Sequence, residues 1–229
     1  VNLTNDSYLL HRILKTDIQK DPDVYEDEIF FGCGCFWGSE KCFWKLPGVI
    51  TTSVGYAGGE KNNPTYYEVC SGLTGHSEVV RVIWDKREID LSDLLKMFWE
   101  CHDPTQKNRQ GNDMGTQYRS AIYYKNENNI KTILASKEQY QTELSKKNLG
   151  LIETEIKMID SYFYAEQYHQ QYLASAGSRQ YCSASPTKVK LGVFTGSNYK
   201  LEDHIWENFN WEVDKCVLRS DNNPIKNNI

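Results

Sequence analysis

The sequence predicts an α+β fold, a ferredoxin-like β-α-β-β-α-β core with a mixed, largely antiparallel sheet, extended by C-terminal helices and a further strand. Three observations predict it. Apolar or alternating runs of strand length recur at 28–32, 50–56, 78–84 and 117–124. Amphipathic runs of helix length separate the first pair and the last pair. Turn-forming residues punctuate the junctions.

The elements follow in order. Ile29, Phe30 and Phe31 make an apolar first strand. The run 36–46 is a helix that stops before Pro47-Gly48. Ile50, Thr52, Val54 and Tyr56 alternate as strand two, and Gly58-Gly59 opens a long loop reaching Gly75. Strand three covers 78–84. Leu91, Leu94, Leu95 and Phe98 fall at i, i+3, i+4, i+7 and give helix two one apolar face. A polar loop with Gly111 and Gly115 leads to strand four. A long helix at 128–147 turns Ile130, Ile133, Leu134 and Leu144 inward. Ile152, Thr154, Ile156 and Met158 alternate as a fifth strand, and Ala165, Tyr168, His169 and Tyr172 share a face of a last short helix.

At 229 residues the chain suits one domain with extensions. The expected division is an N-terminal arm at 1–27, a catalytic domain at 28–182 and a partly flexible extension at 183–229. The net charge of −5 and the lack of a long basic run exclude a nucleic-acid surface and a polybasic membrane anchor. No apolar run is long enough to span a membrane. The 7 cysteines are odd in number and irregular in spacing, so free thiols in a reducing compartment are expected, and with them a cytoplasmic location.

The topology makes a geometric prediction. Strand one is central and its neighbours, three and four, run antiparallel to it. The end of strand one therefore meets the starts of three and four, with the loop after strand two on the same edge. Cys35, Glu78, Asp113, Tyr118 and Tyr66 converge on that rim, where loops carry function on a rigid scaffold. Cys35 falls at the start of a helix, where unpaired N–H groups and the helix dipole favour a thiolate. Phe36 and Trp37 beside it suit an apolar pocket. Glu78, desolvated by its neighbours, would keep its proton near neutral pH and act as an acid. Tyr66 and Tyr118 could hydrogen-bond the same oxygen.

The motifs around these residues form a resemblance. Gly34-Cys35-Phe36-Trp37-Gly38, Val54-Gly55-Tyr56-Ala57-Gly58-Gly59, Thr74-Gly75-His76-Ser77-Glu78, Gly115-Thr116-Gln117-Tyr118-Arg119-Ser120 and Tyr168-His169-Gln170-Gln171-Tyr172-Leu173 run in the order seen in peptide methionine sulfoxide reductase A. The chain resembles that family over 28–182. The resemblance implies that Cys35 attacks the sulfur of a methionine S-sulfoxide, free or in proteins. Glu78 protonates the oxygen, Tyr66 and Tyr118 hold it, and Asp113 supports the site. Phe36 and Trp37 hold the S-methyl group, with His169 in a supporting role. Cys35 is left as a sulfenic acid. Cys182 resolves it to a disulfide that thioredoxin reduces, with Cys216 as a second candidate. The resemblance implies a monomer with no metal or other cofactor.

The sequence departs from the family at Gln180-Tyr181-Cys182-Ser183, where a glycine-rich tail is usual, and at Cys33. A Cys33–Cys35 disulfide would be strained. Cys42, Cys70 and Cys101 fit the ordinary fate of free cysteines, small buried hydrophobes, and are given no role. Three other readings stand beside this one. Gly32, Gly34 and Gly38 are a poor match to a dinucleotide loop. Cys35, His169 and Asp113 would serve a cysteine-dependent acyl hydrolase. Cys33, Cys35, Cys101 and His102 would serve a zinc-binding, non-enzymatic module.

Overall fold

A computed structural model of the chain describes residues 9–227. At its centre lies β1 (Glu26–Cys33), whose neighbouring side chains point to opposite faces of a sheet. Ile29, Phe31 and Cys33 enter the main core, and Phe30 enters a smaller one with Val79, Ala121 and Tyr123. Both faces are covered, which is why this strand reads as an unbroken apolar run.

The chain continues through α1 (Phe36–Trp44), β2 (Val49–Ala57), α2 (Tyr66–Cys70), β3 (Ser77–Asp85) and α3 (Leu91–Cys101). A two-rung hairpin follows, β4 (Arg109–Gln110) and β5 (Asp113–Met114), then β6 (Ser120–Tyr124) and α4 (Ile130–Lys146). Next come β7 (Glu155–Met158), β8 (Tyr162–Tyr164) and the short helices α5 (Asp203–Trp206) and α6 (Cys216–Arg219). The sheet order is β7-β6-β1-β3-β2-β8. β1 is antiparallel to both β3 and β6, and the inner four strands have the ferredoxin-like order. β7 adds to β6 in parallel and β8 adds to β2 antiparallel. Cys33 pairs with Ser120, and Tyr56 pairs with Glu78. The end of β1, the start of β3 and the start of β6 thus share one edge. Among the described residues no helix is long and apolar enough to cross a membrane.

The structure differs from the sequence reading in several places, among them the fifth strand, which starts at Glu155 and does not alternate in burial, and Cys70, which is exposed where a buried thiol was expected. Strand four starts at Ser120, because 116–118 is a 3-10 turn. The loop after β2 contains α2, begun by a capping box in which Thr65 and Glu68 satisfy each other's backbone N–H groups. Leu134 is 46% exposed, so the inward face of α4 is Ile133, Tyr140 and Leu144. The expected helix over 165–172 is two 3-10 turns at 167–169 and 172–174, broken by Gln171 in the left-handed region (φ 47°). Finally, the extension is docked: Val189, Leu191, Phe194, Leu201, Ile205, Phe209, Trp211 and Val217 are all buried in the main core.

One buried carboxyl ties the site's helix to two distant segments. Glu40 on α1 accepts from the Gln171 backbone N–H (2.8 Å), from Gln171 Nε2 (2.7 Å) and from Thr52 Oγ1 (2.9 Å). Burial nevertheless pushes it up to about 7. His11 from the N-terminal arm closes the chain. Its Nδ1 accepts from the backbone of Ile13 and Leu14, so its Nε2 donates to Thr52 Oγ1 at 2.9 Å.

α1 and α3 lock on β1 through Phe31, whose ring stacks on Phe43 (4.8 Å between centroids) and Phe98 (5.1 Å). Phe31→Ala is expected to cost about 3–5 kcal/mol, read as a lowered urea midpoint with an unchanged slope.

Candidate active site

Gly34 makes the turn from β1 into α1. Its φ is +87°, and a Cβ there would lie 2.6 Å from the Gln110 side chain. The turn sends Cys35 inward as the N-cap of α1, 8% exposed. The first free amides of the helix then face the site. The Phe36 N–H donates to Glu78 Oε2 at 3.1 Å, and the Trp37 N–H lies by the Cys35 sulfur.

A cavity of about 250 Å³ opens here, lined by Cys35, Phe36, Trp37, Tyr66, Glu78, Asp113, Tyr118, Arg179 and Tyr181. The residues that the topology assigned to one rim therefore do surround one space. Tyr66 comes from the first turn of α2, Glu78 from the start of β3, Asp113 from β5 and Tyr118 from the 3-10 turn.

The electrostatics revise one expectation. Cys35 is not held as a thiolate. Burial pushes its thiol well above the ordinary range, the nearby Glu78, Cys182 and Asp113 push it further, and only the Trp37 N–H pulls it down. Helix-end stabilisation is real but smaller than the cost of removing the sulfur from water. Glu78 follows the expectation: burial raises it to about 8, Asp113 adds to that, and the Phe36 N–H opposes it. At neutral pH the site holds a thiol and a neutral carboxyl. Burial also pushes both phenols, Tyr66 and Tyr118, upward, so both keep their protons.

The aromatic wall is fixed from behind. Trp37 stacks on Tyr172 (3.9 Å) and donates its Nε1–H to His169 Nδ1 at 3.0 Å. Burial lowers His169 to about 4, so it is neutral, with its proton on Nε2. His169 packs against Phe36, Trp37 and Tyr66. It thus supports the site's walls.

Sequence reasoning assigned nothing to Glu166, Arg179, Tyr181 or Ser183. Glu166 accepts from the Tyr66 N–H (2.8 Å) and from Tyr56 Oη (2.9 Å), fixing α2 against the sheet. Tyr181 Oη donates to Asp113 Oδ1 at 2.7 Å. Ser183 Oγ accepts from the Cys35 N–H at 3.4 Å. Tyr181 and Ser183 carried a local signal, their places on either side of Cys182. Of the two candidate resolving cysteines, Cys182 is buried against α1, its sulfur over Gly38. The side chain of Cys216 lies outside the described residues.

The alternative readings lose their geometry. β1 has antiparallel neighbours on both sides, so the glycines after it do not open a β-α-β unit with an adjacent parallel strand, as a dinucleotide site needs. His169 Nδ1 is taken by Trp37, and Nε2 has Glu166 at 3.7 Å, so no Cys–His pair forms with Cys35. Cys33, Cys101 and His102 do place ligand atoms within 4.8 Å of one another, without Cys35. The His102 ring, however, is used at both ends, donating from Nδ1 to Phe98 O (2.7 Å) and accepting at Nε2 from Ser120 Oγ (2.8 Å). It has no lone pair left for zinc.

A family model described as peptide methionine sulfoxide reductase matches residues 27–199. The chain belongs to that family. It is 53% identical to peptide methionine sulfoxide reductase MsrA of Vibrio vulnificus over 180 residues, 79% of this chain and 86% of that one. It is 55% identical to the MsrA of Salinispora arenicola over 184 residues, 80% of this chain and 84% of that one. The solved methionine sulfoxide reductase A of Corynebacterium diphtheriae superposes with a TM-score of 0.69 at 40% identity, covering 82% of this chain and 93% of that one. Reduced Mxr1 of Saccharomyces cerevisiae gives 0.65 at 34% identity, with 71% and 92% covered.

Gly38 is the seat of Cys182, the candidate resolving cysteine. A Cβ there would stand 2.4 Å from Cys182 Sγ. Gly38→Ala is expected to displace Cys182 and slow closure of the Cys35–Cys182 disulfide at least tenfold, followed as loss of titratable thiol after one equivalent of substrate. Closure at the native rate would remove Gly38 from this role.

Proposed function

We infer that the chain reduces the S epimer of methionine sulfoxide, in proteins and free, by the thiol chemistry of its family. One observation carries the site assignment: Cys35 and Glu78 share the N-terminus of α1 in one cavity, with two protonated phenols beside them. The sulfoxide oxygen is placed among Glu78, Tyr66 and Tyr118, and the S-methyl group lies against Phe36 and Trp37. Glu78 protonates the oxygen and thereby makes the sulfur electrophilic. The Cys35 sulfur attacks it as its thiol proton passes to the Glu78 carboxylate; the hydroxyl then moves from the methionine sulfur to the Cys35 sulfur as the transient sulfur–sulfur bond breaks, so that methionine leaves and Cys35 is a sulfenic acid. Asp113, held by Tyr181, orients the polar side of the cavity. Cys182 then attacks the Cys35 sulfur, forming a disulfide and releasing water. A dithiol of the thioredoxin kind restores both thiols. The atoms balance on thiols alone, with no metal or organic cofactor. Dependence on such a reductant favours a reducing compartment, the cytoplasm.

The test uses the separated epimers, first with dithiothreitol and then with thioredoxin. Turnover of the S epimer alone is expected. Cys35→Ser should form no methionine. Cys182→Ser should form one methionine per chain and then stop with thioredoxin. Glu78 carries its proton below about 8, so the reductase step should be fast below that pH and fall as pH rises through it. Glu78→Gln should lose that limb and slow the step about 10²–10⁴-fold with little change in KM. A rise in KM alone would make Glu78 a binding residue.

A further inference from the structure

Three thiols in the core lie beyond the reaction just described. Cys33, Cys42 and Cys101 are at most 4% exposed and carry no disulfide. Cys101, at the end of α3, has its sulfur within 4.8 Å of the Cys33 sulfur and lines one cavity with Cys42. A second, small cavity of about 20 Å³ brings Cys42 and Cys101 together with Cys182. Gly38, Ser39, Cys42, Cys101 and Cys182 all line it.

The helix explains the arrangement. Cys35, Gly38 and Cys42 fall at i, i+3 and i+7 and share one face of α1. Gly38 leaves a gap in that face, and the Cys182 sulfur fills it. Cys182 therefore stands between the catalytic sulfur and the inner thiols. Cys35 and Cys101 each feel the charge of Cys182.

We propose that Cys101 and Cys42 form an internal dithiol that reduces the Cys35–Cys182 disulfide and so stores one oxidising equivalent in the core. The proposal rests on Cys182 as the resolving cysteine. Cys101 attacks Cys182, forming a Cys101–Cys182 bond and breaking the bond to Cys35. The Cys101 proton is lost to solvent; Cys35 leaves as a thiolate and takes a proton from Glu78, which regains one from solvent. Cys42 then attacks Cys101, forming Cys42–Cys101 and releasing Cys182. Two protons leave the inner pair, two arrive on the outer pair, and two electrons move outward. The substrate already reduced is the only oxidant needed. Cys42 and Cys101 start on the walls of one small cavity and close to about 2 Å to bond. Because each step is an exchange, an outside dithiol acting at Cys182 runs the sequence in reverse. Cys33 supports Cys101 from the other side.

The experiment counts methionine formed per chain with excess methionine sulfoxide and no reductant. Cys216 is first replaced by Ser, because its chain neighbours Lys215 and Val217 line the same cavity. Two methionines per chain are expected for Cys216→Ser, with a Cys42–Cys101 disulfide found by peptide mapping. Adding Cys101→Ser should return the count to one. That variant keeps a donor for Phe98 O, which Cys101 Sγ now contacts at 3.5 Å. One methionine in Cys216→Ser, ending at Cys35–Cys182, overturns the relay and leaves the resolving role standing. Two methionines that persist in Cys216→Ser/Cys101→Ser overturn it as well. One methionine with no Cys35–Cys182 disulfide in Cys216→Ser/Cys101→Ser overturns the resolving role, and the relay with it. Mapping of Cys216→Ser itself decides the matter should the double variant not fold.

Discussion

Everything at the site depends on burying two acids, Cys35 and Glu78, at one helix N-terminus. The interior opposes two negative charges in one small volume, and the helix offers only an amide N–H to each. Those two amides do not offset the loss of water, so both groups stay neutral. This sets the order of events. Glu78 keeps a proton that it can give away near neutral pH, and Cys35 does not ionise for any passing electrophile. A substrate oxygen that takes the proton of Glu78 removes the developing negative charge from the site. The sulfur then attacks a centre that has become more electrophilic. In the proposed reaction, selectivity for a sulfoxide follows from that coupling more than from the shape of the cavity.

The walls obey the same logic of neutral groups. His169 is buried and stays uncharged, so its Nδ1 lone pair is available to fix the Trp37 indole. Glu166 uses one oxygen on the α2 backbone and the other on Tyr56. α2 is only five residues long, and its Tyr66 would be poorly placed without that anchor. Rigid aromatic walls matter because the S-methyl group offers no hydrogen bond. Only shape and apolar contact can hold it.

The strands were legible because β1 is buried on both faces and β2 alternates, two patterns that need no tertiary information. The rim was legible one step later, since antiparallel neighbours bring the end of β1 to the starts of β3 and β6. Cys35's protonation was not. The sequence shows a helix start, but the burial comes from Tyr181, Cys182 and Ser183, far along the chain. Glu166 was hidden for the same reason, lying 100 residues from Tyr66. α2, by contrast, was written in Thr65 and Glu68 as a capping box that the glycines around it obscured. The broken helix at Gln171 had no such signal. A glutamine in the left-handed region is held there by Glu40, which accepts from both its backbone and its side chain.

The docked extension changes what resolution of the sulfenic acid requires. Cys182 sits on α1 because the chain on both sides of it is tied down. Tyr181 is bonded to Asp113, and the Cys35 N–H is bonded to Ser183. From Val189 to Val217 the following chain is anchored in the core. The second sulfur is therefore at hand before the first turnover, and the entropy of bringing a free tail to the site is already spent in folding. The cost falls on the later step. An outside thiol must line up with a sulfur to attack it, and Cys182 is only 7% exposed. Fast closure and slow outside access are thus two consequences of one packing choice. That choice gives a nearby pair of core thiols the first opportunity at the disulfide.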